Sequence, residues 1–182
     1  RIIKKINEKF SFKYPIKFVA GDFLESPIRN KYYDYIVGKA FIHHLTPLQE
    51  IKFTEKIVKE LKENGRVRYF EPAVNSKFLD TLRWIVPVPG RPSILNRNKF
   101  KKWKELDPHP ERDNSEQHYK QLGAKFFEKT TITPIGGLER FARVINNRKL
   151  RRFLFKLESF LPTSFHLKIA RSQTIDYFNP KK

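Results

Sequence analysis

At 182 residues, with 39% hydrophobic and 14% aromatic side chains, the chain has the size and composition of one globular domain around one core, not of a disordered segment. Cysteine is absent, which excludes disulfides, thiolate metal sites and a thiol nucleophile. The net charge is +19, from 38 Lys and Arg against 19 Asp and Glu; the basic residues recur along the whole chain, so a solvated basic surface is expected, with a polyanion partner as the alternative.

The chain opens on Arg1 and has no Met, which predicts that this is not the gene's own start and that the chain is partial. Arg1 to Phe10 reads as the end of a helix, with Ile2, Ile3, Ile6 and Phe10 near one face. Tyr14-Pro15 breaks it, Ile16 to Ala20 reads as a short strand stopping at Gly21-Asp22, and Phe23 to Lys31 is a polar loop. Tyr33 to Val37 is a second strand, apolar enough to be buried on both faces of a parallel sheet, and Gly38 ends it. Thr46-Pro47 starts a helix as N-cap and first residue, followed by a stripe of Leu48, Ile51, Ile57, Val58 and Leu61, with Asn64-Gly65 as its stop. Arg66 to Phe70 is a third strand, ending at Glu71-Pro72. Strands alternating with helices predict an α/β, doubly wound, mostly parallel sheet, whose ligands sit outside the carboxyl ends of the strands. Those ends are Gly21-Asp22, Gly38-Lys39 and Glu71-Pro72.

From Ala73 to Gln121 the pattern changes. Helices are expected over Ser76–Ile85, Asn98–Leu106 and His118–Leu122, the last capped by Gly123, with prolines and polar residues between. A segment this long is expected to be a helical insertion, 73–121, covering the substrate side of a single domain spanning 1–182. Lys125–Thr133 has strand character, Leu138–Phe160 is helical, and His166–Tyr177 reads as a last strand. Within 148–161 the apolar Leu150, Phe153, Leu154, Leu157, Phe160 and Leu161 share one stripe and Arg148, Lys149, Arg151, Arg152 and Lys156 the rest; packing on the sheet is the expected role, membrane-surface contact the alternative. No apolar run reaches the ~20 residues that span a bilayer. The expected location is cytoplasmic.

Three stretches, in order, resemble the class I, seven-stranded S-adenosylmethionine-dependent methyltransferases, small-molecule branch. They are Ile16 to Phe23 (IKFVAGDF), Tyr33 to Leu45 (YDYIVGKAFIHHL) and Leu61 to Pro72 (LKENGRVRYFEP); Asp107 to Gly123 resembles the loop and helix before that family's antiparallel final strands. Each motif is weak by itself, whereas their order and spacing together are specific. The usual Pro-Gly-Gly turn is replaced by Asn64-Gly65-Arg66, and the family's first strand, glycine-rich loop and ribose-binding acidic residue have no counterpart here. The resemblance therefore implies a Rossmann-like methyltransferase domain truncated at its amino end, holding strands three to seven of the order 3-2-1-4-5-7-6, and inactive by itself.

The resemblance also assigns roles. S-adenosyl-L-methionine is the implied cofactor, with Gly21, Asp22 and Phe23 at the adenine and Gly38, Lys39 and Ala40 under the ligand near the methyl group. Read without it, Asp22 is equally a turn-capping Asp and Gly38 a strand-ending Gly. His43 and His44 are the candidate catalytic bases, since imidazole is the ordinary base near neutral pH; being adjacent, they point about 100° apart on a helix, so one faces the pocket. Glu71 either touches the acceptor or pairs with a neighbouring basic group. Trp84 and Trp103, with Phe100, roof an acceptor pocket or pack a core, and His109 is a further acceptor-side candidate. No His/Asp/Glu group has ligand spacing, so no metal is expected.

The expected acceptor is a small or lipid-like molecule, methylated at oxygen or carbon. A nucleic-acid partner is the alternative that the charge motivates. Against it, Gly38-Lys39-Ala40-Phe41 stands where amino-methylating DNA enzymes carry Asn/Asp-Pro-Pro-Tyr/Phe, and pyrimidine-carbon enzymes need a Cys.

Overall fold

Thr46 caps a helix as its position predicts: its hydroxyl accepts from the Gln49 N–H, Gln49 reaches back to the Thr46 N–H, and Pro47 occupies the first turn. This helix, α2 (Pro47–Glu60), joins β1 (Tyr33–Lys39) to β2 (Leu61–Pro72) in a computed structural model describing residues 2–85, 87, 90–107, 112–138 and 147–181. β1 and β2 are parallel, with Tyr35 opposite Arg66 and Lys39 opposite Phe70. β3 (Phe127–Ile135) and β4 (Ser172–Pro180) complete the sheet in the order β1-β2-β4-β3, both new pairings antiparallel. The expected neighbours Tyr33–Val37 and Arg66–Phe70 do pair, and the order is the 4-5-7-6 part of the expected seven. The remaining helices are α1 (Ile2–Phe10), α3 (Lys77–Ile85), α4 (Arg97–Glu105), α5 (Glu116–Phe126), α6 (Arg148–Glu158) and α7 (Thr163–Ile169). The predicted helix over Leu138–Phe160 is α6 where described; 139–146 lie outside the described residues.

The core follows the alternation of β2. Leu61, Val67, Tyr69 and Glu71 turn to the buried face, where they meet Ile57 of α2, Tyr119 of α5, and Ile175 and Tyr177 of β4. Phe127 stacks on Tyr177 with ring centroids 4.9 Å apart. Burial pushes the Tyr69, Tyr119 and Tyr177 phenols up, so all three stay neutral.

Several expectations are corrected. Ile16–Ala20 is no strand: it is irregular and exposed, and the Ile16 N–H and C=O are both held by the Asn7 side chain. A strand needs a neighbour to take its backbone groups, and none of the described strands flanks this segment. β1 is not buried on both faces; Ile36 is half-buried, but Tyr35 and Val37 are open. The α2 stripe is rotated: Glu50, Phe53, Thr54 and Ile57 are buried while Leu48 is exposed. Helix α2 stops at Leu61, not at Asn64-Gly65, because Leu61 enters the sheet opposite Tyr33 and the irregular stretch before Arg66 absorbs the extra residues. A Cβ on Gly65 would lie 2.7 Å from the Lys62 carbonyl oxygen, so that stretch is too tight for a side chain. Gly123 does not cap its helix; α5 runs through it, and a Cβ there would lie 2.5 Å from Tyr177 Cε1. His166–Ile169 is helical in α7, which starts after Pro162, and the last strand begins only at Ser172. The 148–161 stripe is split rather than packed on the sheet: Leu150, Leu154 and Leu161 are half-buried, but Phe153, Leu157 and Phe160 are exposed.

Asp176 of β4 ties the parallel pair to the antiparallel one. Its carboxylate accepts from Arg66 (2.8 and 3.2 Å) and Arg68 (2.6 and 3.0 Å). Burial pushes its acidity down, but the two guanidiniums outweigh burial and hold its pKa below the ordinary value. Its contribution is therefore complete above the unfolded value of ~3.9 and is lost as pH falls through the lower folded value. Both arginines are partly exposed, so the effect is at most about 1 kcal/mol. Asp176→Asn is expected to narrow the difference in urea midpoint between pH 7 and pH 3; an unchanged difference would show that Asp176 titrates alike in both states.

Candidate active site

The carboxyl end of β1 turns sharply. Gly38 lies opposite Tyr69, and a Cβ on it would stand 2.8 Å from Tyr69 Cδ1, so only glycine fits this approach. Ala40 takes a left-handed conformation (φ +50°), and its N–H still reaches the Phe70 carbonyl at 2.8 Å. The chain then enters a 3-10 turn, Ile42–His44, with Ile42 buried beneath it.

A buried carboxylate holds this turn by its N–H groups and a buried guanidinium holds it by its carbonyls. Glu71, at the end of β2, is wholly buried and accepts from the backbone N–H groups of Phe41 and Ile42 (3.0 Å each) and His43 (3.4 Å). Its second oxygen lies 2.6 Å from His43 Nδ1. Of the two readings of Glu71, the geometry is that of pairing with a neighbouring basic group. A histidine that donates from Nδ1 to a carboxylate is fixed in the tautomer whose lone pair is on Nε2, the arrangement of an oriented general base. The His44 ring lies 4.2 Å from that of His43, centroid to centroid, so both candidate histidines stand at this edge.

The carbonyls of the same turn are held by Arg112, which donates to Ile42 and Leu45 (2.6 and 2.9 Å). Arg112 also pairs with buried Glu50 at 2.5 Å, and the other Glu50 oxygen lies 2.8 Å from His118 Nε2. The sequence reading missed both Glu50 and Arg112. Glu50 had a signal: it shares a helical face with Phe53, Thr54 and Ile57, and a carboxylate on an apolar face calls for a buried partner. Arg112 had none, since it lies in an irregular stretch 62 residues from Glu50.

The loop at Gly21–Ser26 docks beside the turn. The Phe23 ring packs on Phe53 (4.9 Å), which packs on Phe41 (5.1 Å). The Lys56 ammonium lies over Phe23 at 5.0 Å and donates to Leu24 and Ser26 carbonyls. Asp22 is exposed, and its Oδ1 accepts from the Leu24 N–H at 2.8 Å, the turn-capping arrangement. Gly21–Phe23, Gly38–Ala40, Glu71 and the two histidines are thus gathered at one edge, joined through Phe41. Lys39 sits beside them, its ammonium 5.8 Å over the Phe70 ring.

Trp84 of α3 and Trp103 of α4 come together. They form a cluster with Phe100, with centroids 5.5 to 5.8 Å apart, and Arg91 covers Trp84 at 4.8 Å. A depression of about 470 Å³ lined by Ile94, Arg97, Phe100, Lys101, Lys104 and Glu105 lies along α4. His109 lies outside the described residues.

No protein-family model matches the chain, and no curated protein matches it in sequence. Solved structures do match it. A SAM-dependent methyltransferase from Archaeoglobus fulgidus is 15% identical, with a TM-score of 0.52 over 98% of this chain and 73% of its own. A protein from Bacillus halodurans, described as a methyltransferase, is 14% identical, with a TM-score of 0.51 over 98% and 76%. One from Galdieria sulphuraria, described as a sarcosine dimethylglycine methyltransferase, is 16% identical, with a TM-score of 0.51 over 98% and 64%. The fold is the Rossmann-like α/β fold of these methyltransferases.

Proposed function

We propose that the chain carries part of a site for S-adenosylmethionine-dependent methyl transfer to a small or lipid-like acceptor, at oxygen or carbon. The observation that supports this best is the buried Glu71 clamp. It holds Gly38–His44 at the carboxyl end of the parallel pair, where ligands of such sheets lie. The residues present fit the cofactor in part: the Gly21–Phe23 loop and the Gly38–Ala40 turn are joined through Phe53 and Phe41, while no described segment supplies a glycine-rich loop for the methionine end or an acidic residue for the ribose. When bound, the cofactor supplies an electrophilic methyl group on a sulfonium, whose departure needs no proton. The protein's work is then alignment and, for a protic acceptor, removal of its proton. Asp22 and the Phe23 N–H would hold the adenine, Gly38 to Ala40 would support the ligand near its methyl group, and His43, held by Glu71, would take the acceptor proton, with His44 beside it. Trp84, Trp103 and His109 remain acceptor-side candidates on the insertion.

In a form of the protein that binds S-adenosylhomocysteine, Asp22→Ala is expected to weaken binding by about tenfold and His44→Ala by less, measured by titration calorimetry. Equal losses would remove the adenine-side assignment. Residues 1–182 by themselves are expected to bind weakly and to be inactive, because the outer edge of β1 is unpaired among the described residues and Ile16–Ala20 has no sheet partner. A sharp thermal transition together with micromolar binding would contradict this. The +19 charge supports a second reading, nucleic-acid binding. That reading requires affinity for RNA or DNA that falls steeply with salt and persists in Asp22→Ala.

A further inference from the structure

The connection between β3 and β4 is far longer than a hairpin needs, and it leaves the sheet at a telling place. Ile135 and Ser172 pair with one another, and Ser172 also pairs with Pro72 at the carboxyl end of β2. Helices α6 and α7 therefore rise from the same edge as Gly38–His44. They are tied down there: Asn75 Nδ2 donates to the Leu167 carbonyl, the Ala73 N–H donates to Arg171, and buried Glu158 accepts from the Gly137 N–H at 2.7 Å.

So anchored, α6 shows three sides. Leu150, Arg151, Leu154 and Glu158 face inward, half-buried or buried. Phe153, Leu157 and Phe160 form an apolar edge left 61%, 42% and 75% exposed, Phe155 stands 48% exposed at the far end of the basic row, and Phe165 of α7 is 51% exposed. At about 100° per residue, Lys149, Lys156, Arg152 and Arg148 follow directly on the other flank of that edge. A short helix with exposed Phe and Leu beside a row of basic side chains, low in overall hydrophobicity, matches the chemistry of a bilayer interface: rings among the acyl chains, cations among anionic headgroups. Charge complementarity singles out this occupant. A hydrophobic protein partner would not need the basic flank, a nucleic acid would not need the Phe edge, and a second copy of this +19 chain would bring like charge against like. Helix α7, which follows α6, packs against β3, the strand at the other end of the sheet from β1.

We infer that α6, with Phe165 of α7, is a peripheral anchor that seats the candidate active-site edge on an anionic lipid surface. Resting on the methyl-transfer reading, the acceptor is then an amphiphile drawn from that surface, with its reactive group near the headgroups.

The test is co-sedimentation of the full chain with phosphatidylcholine vesicles and with vesicles containing 30% phosphatidylserine, at low and high salt. Binding to the anionic vesicles alone, weakened by salt, is expected. Phe153→Ser with Phe160→Ser should lower it by about tenfold or more, and Arg152→Glu with Lys156→Glu by a similar factor. All four side chains are exposed, and unchanged circular dichroism confirms that the variants fold. Failure to bind anionic vesicles, binding indifferent to the Phe pair, or a dimer that the Phe pair dissolves would each overturn the anchor. Because the assay contains no cofactor, its failure leaves the methyl-transfer reading standing, and loss of methyl transfer leaves the vesicle result standing.

Discussion

Glu71→Ala is expected to lower the unfolding free energy by about 3 kcal/mol and to abolish methyl transfer in any form of the protein that performs it. The carboxylate is wholly buried and satisfies the N–H groups of Phe41, Ile42 and His43 as well as the His43 ring. Alanine leaves those donors facing a cavity, and hydrogen bonds to a charged group are the strong kind. Glu71→Gln keeps the shape and an amide oxygen for one side of the turn, so it should recover part of the stability while its NH2 group no longer accepts from the other. The measurements are urea unfolding and amide exchange at Phe41, Ile42 and His43. Exchange at those three amides as slow in Glu71→Ala as in the parent would show that the clamp does not hold the turn.

The second large effect belongs to Arg112. Its guanidinium, buried like the Glu50 carboxylate it meets, is the donor for the Ile42 and Leu45 carbonyls. Removing one member of a buried pair leaves the other as an uncompensated charge, so Arg112→Ala is expected to cost about 3–5 kcal/mol. Glu50→Leu strands the buried guanidinium in the same way, leaving it only its two carbonyl partners, and should cost a similar amount. The double variant should be more stable than the sum of the single losses requires, because it strands neither charge. A denaturation cycle with no coupling between the two positions would mean that each acts alone. The two experiments also separate the halves of the clamp, since Glu71 takes the N–H groups of the 41–45 turn and Arg112 its carbonyls.

Much of this architecture was legible residue by residue. Thr46-Pro47 announced the start of α2, and the runs Tyr33–Val37 and Arg66–Phe70, with a helix between them, announced a parallel pair. Those signals are local: a capping side chain reaches three residues, and a strand's alternation is written in its own composition. The histidines at the β1 edge and Glu71 at the β2 edge could be placed for the same reason, since a strand end fixes which side of the sheet a residue joins.

The failures share the opposite property. Ile16–Ala20 has strand composition, yet extended backbone becomes a strand only when a neighbour takes its N–H and C=O groups, and here Asn7 takes those of Ile16. Gly123 looked like a helix stop, but its lack of a side chain serves Tyr177, fifty-four residues further on. Phe153, Leu157 and Phe160 had the periodicity of a packed stripe, and only the anchoring of Glu158 at Gly137 showed that the helix is rolled to leave them outside.

The sequence by itself thus determined the α/β class, the order of the helices and strands along β1, α2 and β2, and the edge at which Gly38, His43 and Glu71 gather, because these follow from local propensity, capping and period. Only the tertiary structure decided what Glu50, Glu71 and Arg112 do. Their partners stand roughly thirty to seventy residues away in the chain, and a buried charge is stable only where distant segments bring it its opposite.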